Sequence, residues 1–141
     1  MINDIIKFNT DAGNTTDHFN VRQSALYLGL QCEELAEKLH AVGMHGIASS
    51  LDDVSGKLKK GLYDSAVNHA NRKEMLDADM DLIVVSVGAA ISQGADPIGA
   101  LAEVIRSNDS KRTDGKLVKD IHGKIIKGPD FSEPNLTPFM A

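Results

Sequence analysis

The stretch Arg22 to Val42, RQSALYLGLQCEELAEKLHAV, decides the fold. Ala25, Leu28, Cys32, Leu35, Leu39 and Val42 recur in it at alternating spacings of three and four, the repeat of an apolar stripe that an α-helix turns toward a partner helix. Within it lies Glu33-Glu34-Leu35-Ala36-Glu37, and further along comes a second acidic run, Glu74-Met75-Leu76-Asp77-Ala78-Asp79-Met80-Asp81. Carboxylates at three- and four-residue spacing stack on one helical face. Two such helices packed together would converge about five or six oxygen donors, a site for a hard divalent cation.

Outward from this helix the chain is punctuated by turn residues. Ile2, Ile5 and Ile6 form a short amphipathic start that breaks at Asp11-Ala12-Gly13-Asn14. The central helix is expected to begin near Thr16 or Asp17, either of which can cap it. Gly43 and Gly46 bracket a break, after which Ile47 to Leu58 reads as a shorter helix ended by Lys59-Lys60-Gly61. A long helix is expected from Asp64 to Ser92, stopped by Gln93-Gly94-Ala95-Asp96-Pro97, and another from Pro97 to about Asn108. Asp114 to Lys127 then shows two alternating runs around Asp120-Ile121-His122-Gly123, the pattern of a small β-hairpin. Pro129, Pro134 and Pro138 make the tail an extended arm. The expectation is one domain over residues 1–141, all-α, with four to five helices, a small C-terminal hairpin and the arm.

Composition narrows the function classes. A chain of 141 residues can bury a core without staples, and its Ala, Leu, Met, Lys and Glu content favours helices. Net charge of −5 argues against holding long nucleic acid through the overall field. Seven of the fifteen Lys and Arg nevertheless lie between Arg106 and Lys127, so a basic tail follows an acidic middle. The single Cys32 excludes an internal disulfide and a multi-cysteine zinc site and fits a reducing cytoplasm, where it reads as a small core residue. The N-terminus lacks a secretory pattern, and the longest apolar run, Leu82 to Ile91, is too short to span a bilayer. A cytoplasmic protein without a membrane partner is expected.

The acidic runs have a plain reading and a chemical one. At 100° per residue Glu33, Glu34 and Glu37 occupy about 100° of arc on the side opposite the main apolar stripe, the position of a solvated outer face. The second run weighs against that reading. Relative to Glu74, Asp77 falls at about −60° and Asp81 at about −20°, a tight stripe that Asp79, at about +140°, does not join. Three like charges within two turns repel, so a counter-charge is expected against them. All-oxygen ligands suit Mg²⁺ or Mn²⁺ better than zinc or copper, and magnesium commonly shares substrate phosphates. Acidic helices and a basic tail together therefore suggest a polyphosphate substrate neutralised by metal and cationic side chains and attacked by a metal-activated water.

Here the residues resemble the MazG-like all-α nucleoside triphosphate pyrophosphohydrolases, the superfamily that includes phosphoribosyl-ATP pyrophosphohydrolase and dimeric dUTPases. The resemblance rests on Glu33-Glu34-x-x-Glu37, Glu74-x-x-Asp77, Asp81 to Gly88, Ile105 to Lys111, and Asp114-Gly115-Lys116 leading to Lys127-Gly128-Pro129-Asp130-Phe131, and runs from about Phe19 to Leu136. It implies Mg²⁺-dependent cleavage of a (deoxy)nucleoside triphosphate between the α- and β-phosphates, giving the monophosphate and pyrophosphate. It further implies that Glu33, Glu34, Glu37, Glu74 and Asp77 hold metal, with Glu33 or Glu34 handling the attacking water and Asp81 in support. Asn108 and Lys111 match phosphate- or sugar-contacting positions, to which Arg106 and Lys116 are added. Similar phage proteins point to purine substrates such as dGTP. Two departures leave the base unassigned: the stretch His45 to Arg72 is longer than in compact relatives, and Val84, Val85 or Ser86 stands where an aromatic residue is common.

Other residues carry weaker signals. His40 follows Glu37 at the Glu-x-x-His spacing of di-iron bundles, but the partner helix offers Glu74-x-x-Asp77 in place of a second such motif. His18, His45, His69 and His122 show no metal-ligand spacing. Phe8, Phe19 and Tyr27 could stack on a base, but aromatics at helical spacing more often fill a core. The apolar stripes exceed what one layer of helices needs, so a homodimer or homotetramer is expected. The rival reading is a non-enzymatic helical interaction module with a solvated acidic face.

Overall fold

Asn20, rather than Thr16 or Asp17, starts the central helix: its side-chain oxygen accepts a hydrogen bond from the Gln23 backbone N–H at 3.0 Å. The computed structural model describes residues 1–141. Its helices are α1 (Ile2–Asp11), α2 (Val21–Ala41), α3 (His45–Lys59), α4 (Asp64–Asn68), α5 (Arg72–Ser92) and α6 (Pro97–Asp109), with a 3₁₀ turn at Thr137–Phe139. Six helices replace the expected four to five because the long helix from Asp64 divides. His69 and Ala70 leave helical geometry, and Asn71 caps a new helix by accepting from the Glu74 N–H at 3.3 Å. No helix is long and apolar enough to cross a membrane.

The chain forms two units, one of Met1–Gly13, Asn71–Val118 and Ile125–Ala141, the other of Asn14–Ala70 and Lys119–Lys124. The second unit is built on close contact between α2 and α3. Gly43, at φ +83°, provides the left-handed residue of the reversal joining them. A Cβ at Gly29 would meet Lys59 Cγ at 2.9 Å, the Ser55 carbonyl oxygen at 3.1 Å and Leu58 Cβ at 3.2 Å. Ser55 Oγ donates to the Gly29 carbonyl at 2.6 Å, so the one buried hydroxyl between these helices is satisfied. The buried face of α2 is Ala25, Leu26, Gly29 and Ala36, whereas Leu28, Leu35 and Val42 of the expected stripe are 38%, 49% and 66% exposed. At Gly29 the close approach of α3 leaves no room for a larger residue. Arg22 fastens α4 below this pair, donating to Asp64 at 2.7 Å and to the Leu58 carbonyl.

In the first unit α6 opens as its sequence dictates, with Asp96 accepting from the Ile98 N–H at 3.0 Å and Pro97 in the first turn. The C-terminal arm runs along α6. Ser107 Oγ donates to the Ser132 carbonyl at 2.8 Å, the Ser132 N–H donates to Ser110 Oγ at 2.9 Å, and the Asn135 N–H donates to Glu103 at 2.9 Å. Arg112 returns to the end of α1, donating to Asp11 at 2.8 Å. By contrast α5, the most apolar helix, has no buried residue.

The expected β-hairpin is not formed. Thr113 and Lys116 make an isolated bridge, and no strand develops. From Asp120 to Lys124 the chain reverses, but the Asp120 carboxylate takes the N–H groups of His122 and Lys124 at 2.8 and 3.0 Å. The Asp120 N–H still reaches the Lys124 carbonyl at 2.8 Å and the Ile126 N–H the Val118 carbonyl at 2.9 Å, but the Lys124 N–H that would return to the Asp120 carbonyl is taken by the Asp120 side chain, and the pairing does not extend into strands.

Candidate carboxylate and lysine site

Glu33 leaves α2 one turn after Gly29, where the closeness of the helices brings the end of α3 alongside. Lys59, the last residue of α3, donates to Glu33 Oε2 at 2.9 Å. From the other side Lys124 Nζ donates to both carboxylate oxygens, at 2.9 Å to Oε1 and 3.1 Å to Oε2. The Asp120 turn aims this lysine, with Gly123 at φ +90° and the Asp120 N–H returning to the Lys124 carbonyl at 2.8 Å. The Glu33 side chain is 24% exposed. Burial works to raise its carboxyl pKa, and the hydrogen bonds from Lys124 and Lys59 outweigh that, leaving it below its ordinary value.

Glu34 and Glu37 lie on the exposed side of α2 in the same unit. Glu74, Asp77 and Asp81 are exposed on α5, which belongs to the other unit. No set of three or more His, Cys, Asp or Glu side chains converges in an arrangement that could hold a metal ion. The donor chemistry is all-oxygen, as Mg²⁺ or Mn²⁺ requires, with Cys32 partly buried and its thiol pushed up by desolvation.

The chain matches no family model, no curated protein and no solved structure.

The residues expected to bind phosphate or sugar gather around the C-terminal end of α6. Arg106 and Asn108 lie in its last turn, Lys111 just beyond it, and Lys116 closes the bridged turn with Thr113. The Arg106 guanidinium is engaged with Glu103, at 2.7 and 2.8 Å, and with the Glu133 carbonyl at 3.2 Å. Arg106 and the Asn135 backbone N–H together hold the Glu103 carboxyl down at about 2. This arginine therefore ties the arm to its helix.

Two features lay outside the motifs. Lys59 and Lys124 are separated from Glu33 by 26 and 91 positions, and the one sequence signal for Lys59 was a basic residue in the last turn before Gly61. The other is the pairing of His40, marked in the sequence only by its spacing from Glu37, with His45 and Asp52: its Nδ1 lies 3.0 Å from Nδ1 of His45 and its Nε2 3.0 Å from an Asp52 oxygen.

Proposed function

We propose that this chain is a Mg²⁺-dependent nucleoside triphosphate pyrophosphohydrolase of the MazG-like kind, cytoplasmic and homo-oligomeric, releasing monophosphate and pyrophosphate from a (deoxy)nucleoside triphosphate. The observation that carries the reading is the interleaving of charge at Glu33, an acid flanked in sequence by Glu34 and Glu37 and gripped in space by Lys59 and Lys124. Carboxylates for a hard cation and ammonium groups for phosphate oxygens thus occur side by side.

In this reading Glu33, Glu34 and Glu37, with Glu74 and Asp77 of α5, would hold Mg²⁺, and Asp81 supports the second set. Bound Mg²⁺ would supply charge neutralisation of the polyphosphate and acidify the attacking water. Glu33 or Glu34 orients that water and accepts its proton. Asn108, Lys111 and Lys116, with Arg106 as a weaker member, take phosphate or sugar contacts, and a purine such as that of dGTP or GTP is the favoured base.

The oligomer reading is supported by α5. Leu76, Met80, Ile83 and Val87 repeat at spacings of four and three on a face centred about 120° round the helix from Glu74, Asp77 and Asp81, and are 61%, 51%, 50% and 40% exposed. A seam of that spacing is the surface on which another helix packs, and a second copy presents the same seam in a two-fold dimer.

The test is hydrolysis of each of the eight common (d)NTPs with Mg²⁺, with products resolved by chromatography. Monophosphate plus pyrophosphate from one base supports the reading and names the substrate; no turnover on any, with Mn²⁺ also tried, sinks it for these nucleotides. The solvent exposure of Glu34, Glu37, Glu74 and Asp77 favours the second reading, a non-enzymatic interaction module, which predicts no response to Mg²⁺.

A further inference from the structure

We infer that His40 and His45 form a binding site for a borderline divalent transition metal of the Ni²⁺, Cu²⁺ and Zn²⁺ group, separate from the carboxylates assigned to Mg²⁺. His40 lies in the last turn of α2 and His45 begins α3, and the reversal through Gly43 brings their rings to 5.3 Å between centroids at an interplanar angle of 34°. The two Nδ1 atoms face each other at 3.0 Å. Two such nitrogens are held together either by one ring's N–H donating to the other or by a metal ion bound to both lone pairs.

Asp52 decides which form His40 takes. Its carboxylate lies 3.0 Å from His40 Nε2, so Nε2 carries a proton and donates it, leaving the Nδ1 lone pair directed at His45. An imidazole whose far nitrogen donates to a carboxylate is the arrangement in which histidines bind metal, because the carboxylate sets the tautomer and raises the basicity of the ligating nitrogen. Spacing agrees. With metal–nitrogen bonds of about 2.0–2.1 Å, two ligands sit roughly 2.9 Å apart at a square-planar corner and roughly 3.4 Å apart in a tetrahedron, and 3.0 Å lies between them. Binding needs only the His45 proton to move from Nδ1 to Nε2, with no net loss of a proton from the neutral pair. His40 and Asp52 are 38% and 48% exposed on their side chains, so water can complete the coordination. Imidazole ligands select these metals over Mg²⁺, which prefers oxygen.

The test is calorimetric titration of the tag-free full chain with Ni²⁺, with saturating Mg²⁺ present so that the carboxylates do not report. One Ni²⁺ per chain is expected. His45→Asn, checked for unchanged helix content and melting temperature in chelator, should weaken binding at least about 30-fold, and Asp52→Asn about 10-fold. Cys32→Ser should leave the affinity unchanged. No stoichiometric Ni²⁺ binding by the wild type, or His45→Asn binding as tightly as the wild type, overturns the inference whatever the hydrolysis assay shows.

Discussion

The ammonium of Lys124 straddles the carboxylate of Glu33, with 2.9 Å to one oxygen and 3.1 Å to the other, across 91 positions of sequence. Lys59 holds the same carboxylate from α3. The three side chains carry a net charge of about +1, so the acid most exposed to the metal question is neutralised from within.

Removing Lys124 therefore tests the contact directly. In Lys124→Ala the Glu33 carboxyl should titrate at higher pH than in the wild type, because burial continues to raise it while the larger of its two lysine hydrogen bonds is gone. Side-chain carboxyl NMR across a pH series reads this. An unchanged Glu33 titration would mean that the pair is not populated. Stability should fall by less than about 1 kcal/mol, as for other partly exposed ion pairs.

Close approach at Gly29 makes a stability prediction. Gly29→Val drives branched carbon atoms into the Ser55 backbone and Leu58, which stand 3.1 and 3.2 Å from a mere Cβ. Overpacking of this kind costs about 1–3 kcal/mol, enough to lower Tm by several degrees in thermal unfolding. Ser55→Ala, which removes the 2.6 Å bond to the Gly29 carbonyl, should cost about 1 kcal/mol.

How much of this could be read beforehand divides by sequence distance. Breaks at Gly13, Gly43, Gly61 and Gly94, all at positive φ, and the Asp96-Pro97 start of α6 were legible because they depend on the residues at the turn itself. The inward face of α2 was legible only in part. Ala25 of the 3–4 apolar repeat is buried and Cys32 and Leu39 are half-buried, but Leu28, Leu35 and Val42 are exposed while Leu26, Gly29 and Ala36, outside the repeat, are buried. The reversal at Asp120 was legible, but the hairpin was not formed: two backbone bonds join its arms, and the Asp120 side chain takes the Lys124 N–H that would add a third. Glu33 was marked by its spacing from Glu34 and Glu37, but that spacing did not separate the half-buried Glu33 from its two exposed neighbours. Its lysine partners and the His40–His45 pair were not legible, since nothing local marks a contact made by folding.

Glu103 gives the pH prediction. Its folded carboxyl titrates at about 2, against an ordinary value of 4.5, so its contribution is fully present above about 4.5 and is lost as pH falls through about 2. Glu103→Gln should show weaker protection of the Asn135 amide than the wild type at neutral pH in hydrogen exchange. That difference should shrink as pH falls from about 4.5 toward 2, and a difference that persists undiminished at pH 2 would exclude the carboxylate as its source.

The exposed seam on α5 predicts the state of association. Ile83→Glu places a charge in the middle of Leu76, Met80, Ile83 and Val87, where burial against a second copy would leave it unpaired. Sedimentation should show the wild type as a dimer or tetramer and the variant as a monomer. A monomeric wild type would remove the oligomer from the proposal while leaving the chemistry of α2 open to test.

Metal response separates the enzyme from the interaction module without needing the right nucleotide. A ligand that binds only the folded chain stabilises it by mass action, about 2.7 kcal/mol at a hundredfold excess over Kd, which for a chain of this length raises Tm by roughly 5–10 °C. Mg²⁺ at saturation should produce such a shift, and Glu34→Ala and Asp77→Ala should each abolish most of it while leaving the metal-free Tm nearly unchanged, since both side chains are exposed. Losing the shift in only one variant would assign the metal to one helix. A solvated acidic face instead predicts the same small, salt-like response in all three proteins, and that result would favour the module.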